Sequence, residues 1–394
     1  MKSDWTTAKL SEVAEFNPRE KISAGSVAKK VSMDKLQPFC RDIPGFEMSV
    51  YAGGAKFRNG DTIMARITPC LENGKVSKVN ILSDGEVGFG STEYIVFRAK
   101  EGLMHPDFLY YLISSPVVRE PAIKSMVGSS GRQRVQTNVL QNLEVTLPPL
   151  NIQSQIVSII RDFDDKIALN SRINDNLEQQ ALSMYHSLFI NRHSDEWKLG
   201  TIRDFGNVIG GGTPSKAKPE YYTDHGIAWI TPKDLSVSKS KFISHGANDI
   251  TELGFSNSSA IMMPEGSVLF SSRAPIGYIS IAAGALCTNQ GFKSVIPDPK
   301  IGTAYVYFFL KENLPIIEGM AAGSTFKEVS GSIMKSVPAT IPDSNTLTEF
   351  NNFCIPVFAQ QRILEQQNQI LATLRDTLLP RLMSGELDVS GLDL

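Results

Sequence analysis

Hydrophobic and polar positions divide the chain into four segments of two alternating kinds. In residues 1–150 and 197–342, short β-branched and aromatic runs separated by glycine and proline lead into a helical stretch and then a strand-like VTLP or ATIP segment. In residues 151–196 and 343–394, apolar residues recur at about every 3.5 positions, which is the period of a coiled coil. The pattern predicts an α+β protein with two globular α/β domains, each followed by a long spacer helix.

The two globular segments are copies of one another. Matching segments follow in the same order in both: WTTAKLSEVAEFN with WKLGTIRDFGNVI, GDTIMARITP with GSVLFSSRAP, FLYYLI with YVYFFL, and GSS with GST. Arg66 and Arg273 occur at equivalent points, after the strand-like run of the second pair. The copies are far longer than the repeats of solenoid proteins, so they indicate duplicated domains.

The first spacer helix is predicted from Ile152 to about Asn191. Its apolar seam contains Ile156, Ile159, Phe163, Ile173, Leu177, Met184 and Leu188, with polar breaks at Lys166, Asn170 and Gln180. A helix of roughly 39 residues reaches about 58 Å, which is longer than a domain of this size needs. We therefore expect the two spacer helices to pair antiparallel, in a pseudo-two-fold symmetric chain, rather than to pack separately on their own domains.

The second spacer helix has a less regular seam. It contains Phe350, Cys354, Val357, Leu364, Leu371, Leu374, Leu378 and Leu382, with polar breaks at Gln361 and Asn368. Proline cannot donate a backbone hydrogen bond and its ring crowds the preceding turn, so Pro356 and Pro380 predict helix breaks or kinks. Polar residues on a seam cost stability but can fix the register and the partner of the helix.

Composition narrows the class of protein only slightly. The chain has 394 residues, of which 42% are hydrophobic and 20% charged, as in globular proteins of two or three domains. The N-terminal segment lacks the apolar core of a signal peptide, and the longest weakly apolar run is too short for a bilayer, so we expect a cytoplasmic protein. The four cysteines form no CxxC pair and have no histidine at zinc-ligand spacing, so we expect neither a disulfide nor a metal site.

The net charge of −2 is distributed unevenly along the chain. Counted over the four segments in order, the charge is +3, −3, +2 and −4. Both globular segments have a small excess of positive charge. This excess is compatible with contact with DNA phosphates and equally compatible with ordinary variation of surface charge.

Several longer motifs carry a family likeness that covers nearly the whole chain. ARITPCLENGK followed by FGSTEYIVF resembles one type of target-recognition domain in the specificity subunits of type I restriction-modification systems. GGGTPSKAKPEYY, IAWITPKDL, SRAPIG and TNQGF resemble the other common type, and LPPLNIQSQIVSIIRDFDDKIALNSRINDNLEQQA and LRDTLLPRLMSGEL are similar to the central and C-terminal spacer helices. Under this likeness, residues 1–150 and 197–342 are target-recognition domains 1 and 2.

The resemblance implies a non-catalytic subunit that reads a bipartite target in double-stranded DNA, with one half-site for each domain. It also implies a scaffold for two methylation subunits and, through them, for restriction subunits. The partners would use S-adenosylmethionine, ATP and Mg²⁺, and this chain would bind no cofactor. Two alternatives stay open: a specificity subunit of a methyltransferase-only or related system, and a coiled-coil adaptor whose domains bind protein.

In DNA-binding proteins, arginine and lysine bind guanine or phosphate, asparagine and glutamine pair with adenine, and serine and threonine bind phosphate. On the loops of the two domains, these types give the following candidate DNA contacts: Arg66, Lys75, Ser91, Thr92, Arg132, Gln133, Arg134, Thr213, Ser215, Lys216, Lys233, Arg273, Asn289, Gln290, Ser324 and Lys327. The segment GSSGRQRVQ, residues 128–136, favours groove contact, because nothing in it could anchor a core.

Simpler roles exist for several of these candidates. Arg66 and Arg273 would serve equally well in salt bridges within their domains. GGGTPSK, residues 210–216, lacks the spacing of a phosphate loop, and it suits a plain flexible loop almost as well as a turn that meets DNA phosphates. Asn289 and Gln290 could cap local backbone groups instead of pairing with adenine.

Overall fold

A computed structural model describes residues 4–192, 194, 196–238, 240–323, 327–389 and 391. The chain divides into two compact units: unit 1 is Met1–Leu169 with Asn368–Leu394, and unit 2 is Asn170–Gln367. Each unit therefore contains one globular domain and one stretch of each long helix. None of the helices in the described part of the chain combines the length and the apolar character that a membrane span requires.

Domain 1, in unit 1, contains two four-stranded sheets. Its strands are β1 (Thr6–Lys9), β2 (Ala14–Phe16), β3 (Val27–Val31), β4 (Glu47–Val50), β5 (Lys56–Phe57), β6 (Thr62–Ala65), β7 (Val76–Lys78), β8 (Gly88–Gly90), β9 (Tyr94–Ala99) and β10 (Glu144–Leu147). The sheets have the orders β2-β9-β6-β7 and β4-β3-β8-β5, and β1 pairs antiparallel with β10. The helices are α1 (Leu10–Val13), α2 (Pro106–Ser114), α3 (Pro116–Lys124), α4 (Thr137–Gln141) and the long α5 (Leu150–Tyr185), with a 3-10 turn at Met33–Lys35.

Domain 2, in unit 2, contains a five-stranded and a four-stranded sheet. Its strands are β11 (Lys198–Thr201), β12 (Gly206–Gly210), β13 (Tyr222–Thr223), β14 (Ile227–Ile230), β15 (Phe242–Ile243), β16 (Asn248–Ile250), β17 (Val268–Ser272), β18 (Ile276–Ala282), β19 (Cys287–Thr288), β20 (Lys293–Pro297) and β21 (Pro338–Ile341). The sheets have the orders β12-β20-β17-β18-β15 and β13-β16-β14-β19, and β11 pairs with β21. The helices are α6 (Pro232–Val237), α7 (Glu252–Ser256), α8 (Thr303–Glu312), α9 (Leu314–Met320), α10 (Gly331–Ser336) and the long α11 (Ser344–Met383), with 3-10 turns at Ile202–Phe205 and Pro219–Tyr221.

The strand orders show that domain 2 repeats domain 1. The order β2-β9-β6-β7 has its counterpart in β12-β20-β17-β18, to which β15 is added at the edge. The second sheet of each domain contains one parallel pair, β3 with β8 and β14 with β19. The predicted α+β fold with duplicated domains is therefore confirmed.

Each domain buries the middle of one helix on every side. Residues Phe108 to Ile113 of α2 are buried on every side, as are residues Ala304 to Leu310 of α8. A helix that is apolar all round has to be covered from all directions. In unit 1 the cover includes Ile160 of α5 and Leu382 of α11, so both long helices complete the core of the domain.

Unit 2 uses the same arrangement. Tyr185 of α5 and Phe350 of α11 belong to the core around α8, and their rings lie 5.8 Å apart in an edge-to-face contact. Beyond α5 the chain continues in a wider helical turn at His186–Asn191. The long helices therefore pack on their own unit's domain as well as on each other.

Buried polar side chains line the contact between α5 and α11. In unit 1, Asp164 accepts hydrogen bonds from Arg375 at 2.7 Å and from the Tyr111 hydroxyl at 2.8 Å. In unit 2, Asn170 donates to Gln367 at 3.4 Å. Also in unit 2, Gln361 donates to the backbone carbonyl of Asn174 at 3.1 Å. Within unit 2, the paired residue numbers fall along α11 as they rise along α5, so these stretches run antiparallel.

The predicted seam was misplaced in the middle of both helices. Ile173 is 37% exposed and Leu374 is 45% exposed, whereas the next residues along, Asn174 and Arg375, take part in the buried polar pairs. Apolar periodicity alone could not place this face, because hydrogen-bonded polar groups occupy it. The prediction of Ile173 and Leu374 as seam residues is wrong.

The second long helix is not broken at its prolines. α11 is helical from Ser344 to Met383 and passes through Pro356 and Pro380, so a break at these residues is wrong, whereas a kink there stays a prediction. A proline costs about 3 kcal/mol in a helix interior. Burying one large apolar side chain returns about 1.5 to 3 kcal/mol, and Phe350 and Leu364 are buried on the two sides of Pro356. Packing of the neighbouring turns therefore offsets the lost hydrogen bond.

Replacing Asp164 with alanine should destabilise unit 1. The change leaves the buried Arg375 guanidinium and the Tyr111 hydroxyl without their shared acceptor, and breaking such a buried pair costs about 3 to 5 kcal/mol. Urea unfolding followed by circular dichroism measures the loss. Asp162→Ala, at an exposed position on the same helix, is the control and should change the free energy of unfolding by less than about 0.5 kcal/mol. Equal effects from both variants would contradict a buried polar seam.

Candidate nucleic-acid interface

A cleft of about 660 Å³ opens in domain 2 where two parallel strands end side by side. Ile230 at the end of β14 pairs with Thr288 at the end of β19, and the backbone N–H of Asn289 donates to the Ile230 carbonyl at 2.9 Å. The carboxyl ends of parallel strands meet at one edge of the sheet, so the residues that follow both strands face a common space. Six predicted DNA contacts line this cleft: Thr213, Lys216, Lys233, Arg273, Asn289 and Gln290.

A glycine-rich loop forms one wall of the cleft. A Cβ atom on Gly211 would lie 1.9 Å from the Asn289 carbonyl oxygen, and one on Gly212 would lie 2.3 Å from the backbone of Ala260. Glycine is therefore required for the loop to approach β19 so closely. The Gly212 N–H donates to the Thr288 carbonyl at 2.9 Å, and the Trp229 indole donates to the Gly212 carbonyl at 3.0 Å. The loop is thus held in place, and it presents Thr213 and Lys216 to the cleft.

The cleft has an excess of positive charge. Lys216 and Lys233 are exposed and form no ion pair with any described residue. Arg273 is 3.5 Å from Glu328, a long contact between two partly exposed side chains. The carboxylate of Asp234, also in the cleft wall, is occupied by backbone N–H groups of Thr231 at 2.7 Å and Ala247 at 2.9 Å. An anionic ligand would therefore meet unpaired cations rather than free carboxylates.

The amide side chains of the cleft can add directional contacts. The Asn289 side-chain oxygen accepts from the Gly291 N–H at 2.8 Å, which fixes the amide and leaves its NH₂ group for a ligand. Gln290 is exposed beside it, and Asn248 lines the same cleft. Amides of this kind can pair with the major-groove edge of adenine.

Domain 1 has a cleft of about 600 Å³ with a different lining. Of the predicted contacts, Arg66 and Thr92 line it. Arg66 donates to the Val135 carbonyl at 3.3 Å through Nη2, while its buried Nε has no partner among the described residues. The cleft also contains Arg19, Lys21 and Lys56, so it is more strongly cationic than the cleft of domain 2.

The buried carboxylate of this cleft is already neutralised. Glu20 is 7% exposed and pairs with Arg58 at 2.7 Å and with Arg98 at 2.8 Å. Arg19 and Lys21, on either side of it, are exposed and form no ion pair with described residues. The free cations of domain 1 therefore come from the segment after β2.

The predicted contact loop of domain 1 adjoins Arg66. Val135, at the end of this loop, donates its N–H to the Arg66 carbonyl at 2.9 Å. Arg132 is exposed at the tip of the loop, and Gln133 is partly buried behind it. Arg134 forms a two-pronged ion pair with Glu93, with contacts of 2.6 and 3.0 Å, and its hydrogen bonds lower the pKa of Glu93. Of the two arginines, Arg132 is therefore more available than Arg134 for contact with a ligand.

The other predicted contacts lie outside the two clefts. Lys75 donates to the Met33 carbonyl at 2.8 Å and tethers the 3-10 turn there. The Ser91 hydroxyl accepts from the Glu93 N–H at 3.1 Å. Ser215 and Lys327 are exposed on loops of domain 2, and Ser324 lies outside the described residues.

Arg66 and Arg273 are not at matching backbone positions. The Val135 N–H bonds to the Arg66 carbonyl, and in domain 2 the corresponding bond runs from Val329 to the carbonyl of Ser272. Arg66 therefore matches Ser272, and Arg273 lies one residue further along. The prediction that the two arginines are equivalent is wrong by one position, which turns their side chains toward different surroundings.

Sequence reasoning missed Arg19, Lys21 and Lys56 in domain 1, and the aromatic residues Tyr222 and Trp229 in domain 2. For Arg19 and Lys21, the sequence did contain a signal. The spacing of 192 between Trp5 and Trp197 places the NPRE segment opposite the glycine-rich loop of domain 2. The repeat therefore marked the same wall of the cleft in both domains.

Comparison with known proteins agrees with this architecture. A family model described as the type I restriction modification DNA specificity domain matches residues 2–179 and, a second time, residues 194–379. The MjaIX specificity subunit of Methanocaldococcus jannaschii, a type I restriction enzyme subunit, is 37% identical over 180 residues, which cover 43% of this chain and 41% of that protein. The HindI specificity subunit of Haemophilus influenzae is 22% identical over 471 aligned positions, covering 98% of this chain and 100% of that protein.

A solved structure shows the same fold. The type I restriction-modification system S subunit from M. genitalium has a TM-score of 0.56 and 13% sequence identity, and the match covers 96% of both chains. Since the family model matches two segments that together make up most of the sequence, the chain belongs to the family of type I restriction-modification DNA specificity proteins.

Proposed function

We propose that each domain of this chain reads one half-site of a bipartite sequence in double-stranded DNA, using its cleft and the adjoining loops. The long helices keep the two half-sites at a set distance. The chain has no catalytic centre of its own in this proposal. The DNA contacts in this proposal are drawn from the sixteen predicted side chains, joined by Arg19, Lys21 and Lys56 of domain 1.

The convergence of six predicted contacts in the cleft of domain 2 is the observation that supports the proposal best. Loops from β12, β14, β17 and β19 bring them together, although they are spread over residues 213–290 of the sequence. Free lysines supply the contact with phosphates, which carries no sequence information. Arg273, Asn289 and Gln290 supply groups that can pair with base edges.

The partners in this proposal carry out the chemistry. Two methylation subunits bind the helices and use S-adenosylmethionine, and restriction subunits join through them and use ATP and Mg²⁺. The relatives are named as subunits of type I restriction enzymes, which supports an assembly of this kind.

Selection from randomised duplex DNA, by this chain together with a methylation subunit, tests the proposal. The expected result is enrichment of two short motifs at one fixed spacing. A protein adaptor would enrich no motif. Methylation without cleavage after a restriction subunit is added would favour a methyltransferase-only system instead.

Arg273→Ala should weaken DNA binding through the half-site of domain 2, and Arg66→Ala through that of domain 1. A bidentate base contact contributes about 1 to 3 kcal/mol of discrimination, whereas a lost phosphate contact lowers affinity for all sequences and reduces the salt dependence. Binding to cognate and scrambled duplexes at two salt concentrations separates these cases. Arg203→Ala, at an exposed position of domain 2 outside this cleft, is the control. Unchanged binding by both variants would assign the arginines to contacts within the protein.

Replacing residues 197–342 with another domain of this family should change one half-site only. The core of domain 2, completed by the long helices of unit 2, and its cleft share no residue with domain 1, so the half-site read by domain 1 should persist. Sequencing of the methylated motif in cells that carry the chimera measures both halves. A change in both halves would show that the domains do not read DNA independently.

A heptad inserted into both long helices should lengthen the gap between half-sites without changing their bases. Asn170 is paired with Gln367 on one side of the insertion site, and Asp164 with Arg375 on the other. An insertion between Leu169 and Asn170 alone would put these two pairs out of register, and a matching insertion between Gln367 and Asn368 keeps both. Seven residues add about 10 Å of helix, which corresponds to up to roughly three base pairs. The methylated motif again provides the measurement, and an active complex with an unchanged gap would show that the helices do not set the distance.

A further inference from the structure

One lysine of domain 2 is buried against both long helices of unit 2. Lys241 directly precedes β15, and its carbonyl accepts hydrogen bonds from the Ile281 N–H at 2.7 Å and from the Ser280 hydroxyl at 2.9 Å. Both donors belong to β18, in the five-stranded sheet of the domain. The backbone of Lys241 is therefore fixed to this sheet.

The same backbone segment is fixed to α11. The Glu365 carboxylate accepts from the backbone N–H of Lys241 at 2.9 Å and from that of Phe242 at 3.1 Å. The rings of Phe242 and Phe358 meet edge to face at 5.9 Å. One carboxylate thus holds the start of a strand, so the sheet can neither slide nor rotate on α11 without losing two charge-assisted hydrogen bonds.

The side chain of Lys241 extends the contact to α5. Lys241 is 7% exposed, and its ammonium group donates to Gln361 of α11 at 2.7 Å and forms an ion pair with Glu178 of α5. It also lies over the Phe358 ring, 3.9 Å from the ring centre. Glu178 is held on its other side by Lys311 of α8 at 2.6 Å.

Because the charged groups of this contact are buried, each of them depends on its partner to remain charged. Burial lowers the pKa of Lys241, although the neighbouring Glu178 opposes the shift. Burial acts against the charged form of Glu178 as well, but Lys241 and Lys311 outweigh it and lower the pKa of Glu178. A buried charge that loses its partner is far more costly than an exposed one, so the cluster strongly favours one arrangement of the sheet on the helices.

Unit 1 contains a contact of the same kind. Arg41, in a loop of domain 1, has a side chain that is 10% exposed and pairs with Asp42 at 3.0 Å and with Asp165 of α5 at 2.5 Å. In each unit, a buried cation of the domain therefore binds a carboxylate of α5. The Lys78 N–H of β7 donates to the Arg41 carbonyl at 2.8 Å, as the Ile281 N–H of β18 donates to that of Lys241, so the two cations lie at matching backbone positions of the two domains.

We propose that Lys241 is a positioning residue that fixes the orientation of domain 2 on its helices and thereby sets the spacing and rotational phase at which the domain meets its half-site. The proposal rests on the proposed function, because it concerns how a DNA-reading domain is aimed. Lys241 lines neither cleft and touches no predicted DNA contact, so it acts through the position of the domain rather than through bases.

The physical consequence is discrimination between spacings. One added base pair moves a half-site by about 3.4 Å and rotates it by about 35°. A domain that is fixed on its helices cannot follow this change, so the DNA has to twist or bend at a cost. A domain released from the helices can follow it, and the complex then tolerates the wrong spacing.

The test compares duplexes in which the two half-sites are at the selected spacing or one base pair further apart. The full chain, in complex with its methylation subunit, is used with Lys241→Met, which keeps the apolar stem and removes the charge. The wild-type complex should prefer the selected spacing, and the variant should reduce this preference by about tenfold, with unchanged half-site bases. Lys198→Met, at an exposed position on β11, is the matched control and should keep the wild-type preference.

A second variant keeps the experiment informative if the first does not fold. Lys241→Met combined with Glu178→Gln removes both charges, and a neutral buried pair of similar shape is tolerated better than a lone buried charge. A folded variant that keeps the wild-type preference for spacing would overturn the proposal, as would altered half-site bases. If the wild-type complex selected no DNA sequence at all, the proposed function would fail instead, and this outcome is distinguishable from the other two.

Discussion

Neither domain can cover its central helix alone, and the architecture of both units depends on this constraint. α2 and α8 are buried around their full circumference, and the sheets cover only part of each. In unit 1, Ile160 and Leu382 supply the rest, although they are far apart in the sequence. Each core is therefore complete only when both long helices are in place. A stretch of both long helices therefore packs on each domain.

The contact between the helices favours a defined register over maximal stability. An apolar seam would be at least as stable as one that contains Asp164, Arg375 and Gln361, because burying polar groups costs free energy. Polar pairs, however, are satisfied in one alignment only. Sliding one helix by a turn would separate Arg375 from Asp164 and leave it only the carboxylate of Asp376 on its own helix. Within each unit, these polar pairs therefore fix the register of the two helix stretches.

The periodicity and the repeats in the sequence were sufficient to predict the fold. Both are patterns of apolar positions, and the burial of apolar side chains largely determines the fold. They were not sufficient to place the buried face of the helices, where Asn174 lies inside and Ile173 outside, since hydrogen-bond partners decide this detail. Six residues of the domain 2 cleft could be named as candidates from their side-chain chemistry, but the cleft itself could not be predicted, because β14 and β19 become neighbours only in the folded sheet. Arg19 and Lys21 were missed because no motif singled them out.

Duplication has preserved the scaffold of the two domains while their clefts have diverged. In domain 2, one wall of the cleft is the glycine-rich loop that follows β12. In domain 1, the matching wall follows β2 and carries Arg19 and Lys21. Amides such as Asn289 pair with bases in a directional way, whereas lysine ammonium groups mostly bind phosphates without regard to sequence. On the proposed function, domain 1 would depend more on phosphates for affinity, and domain 2 more on base edges for discrimination. Each cleft is built from its own loops, although the two domains have the same fold. One half-site can therefore change in evolution while the other half-site and the helices stay as they are.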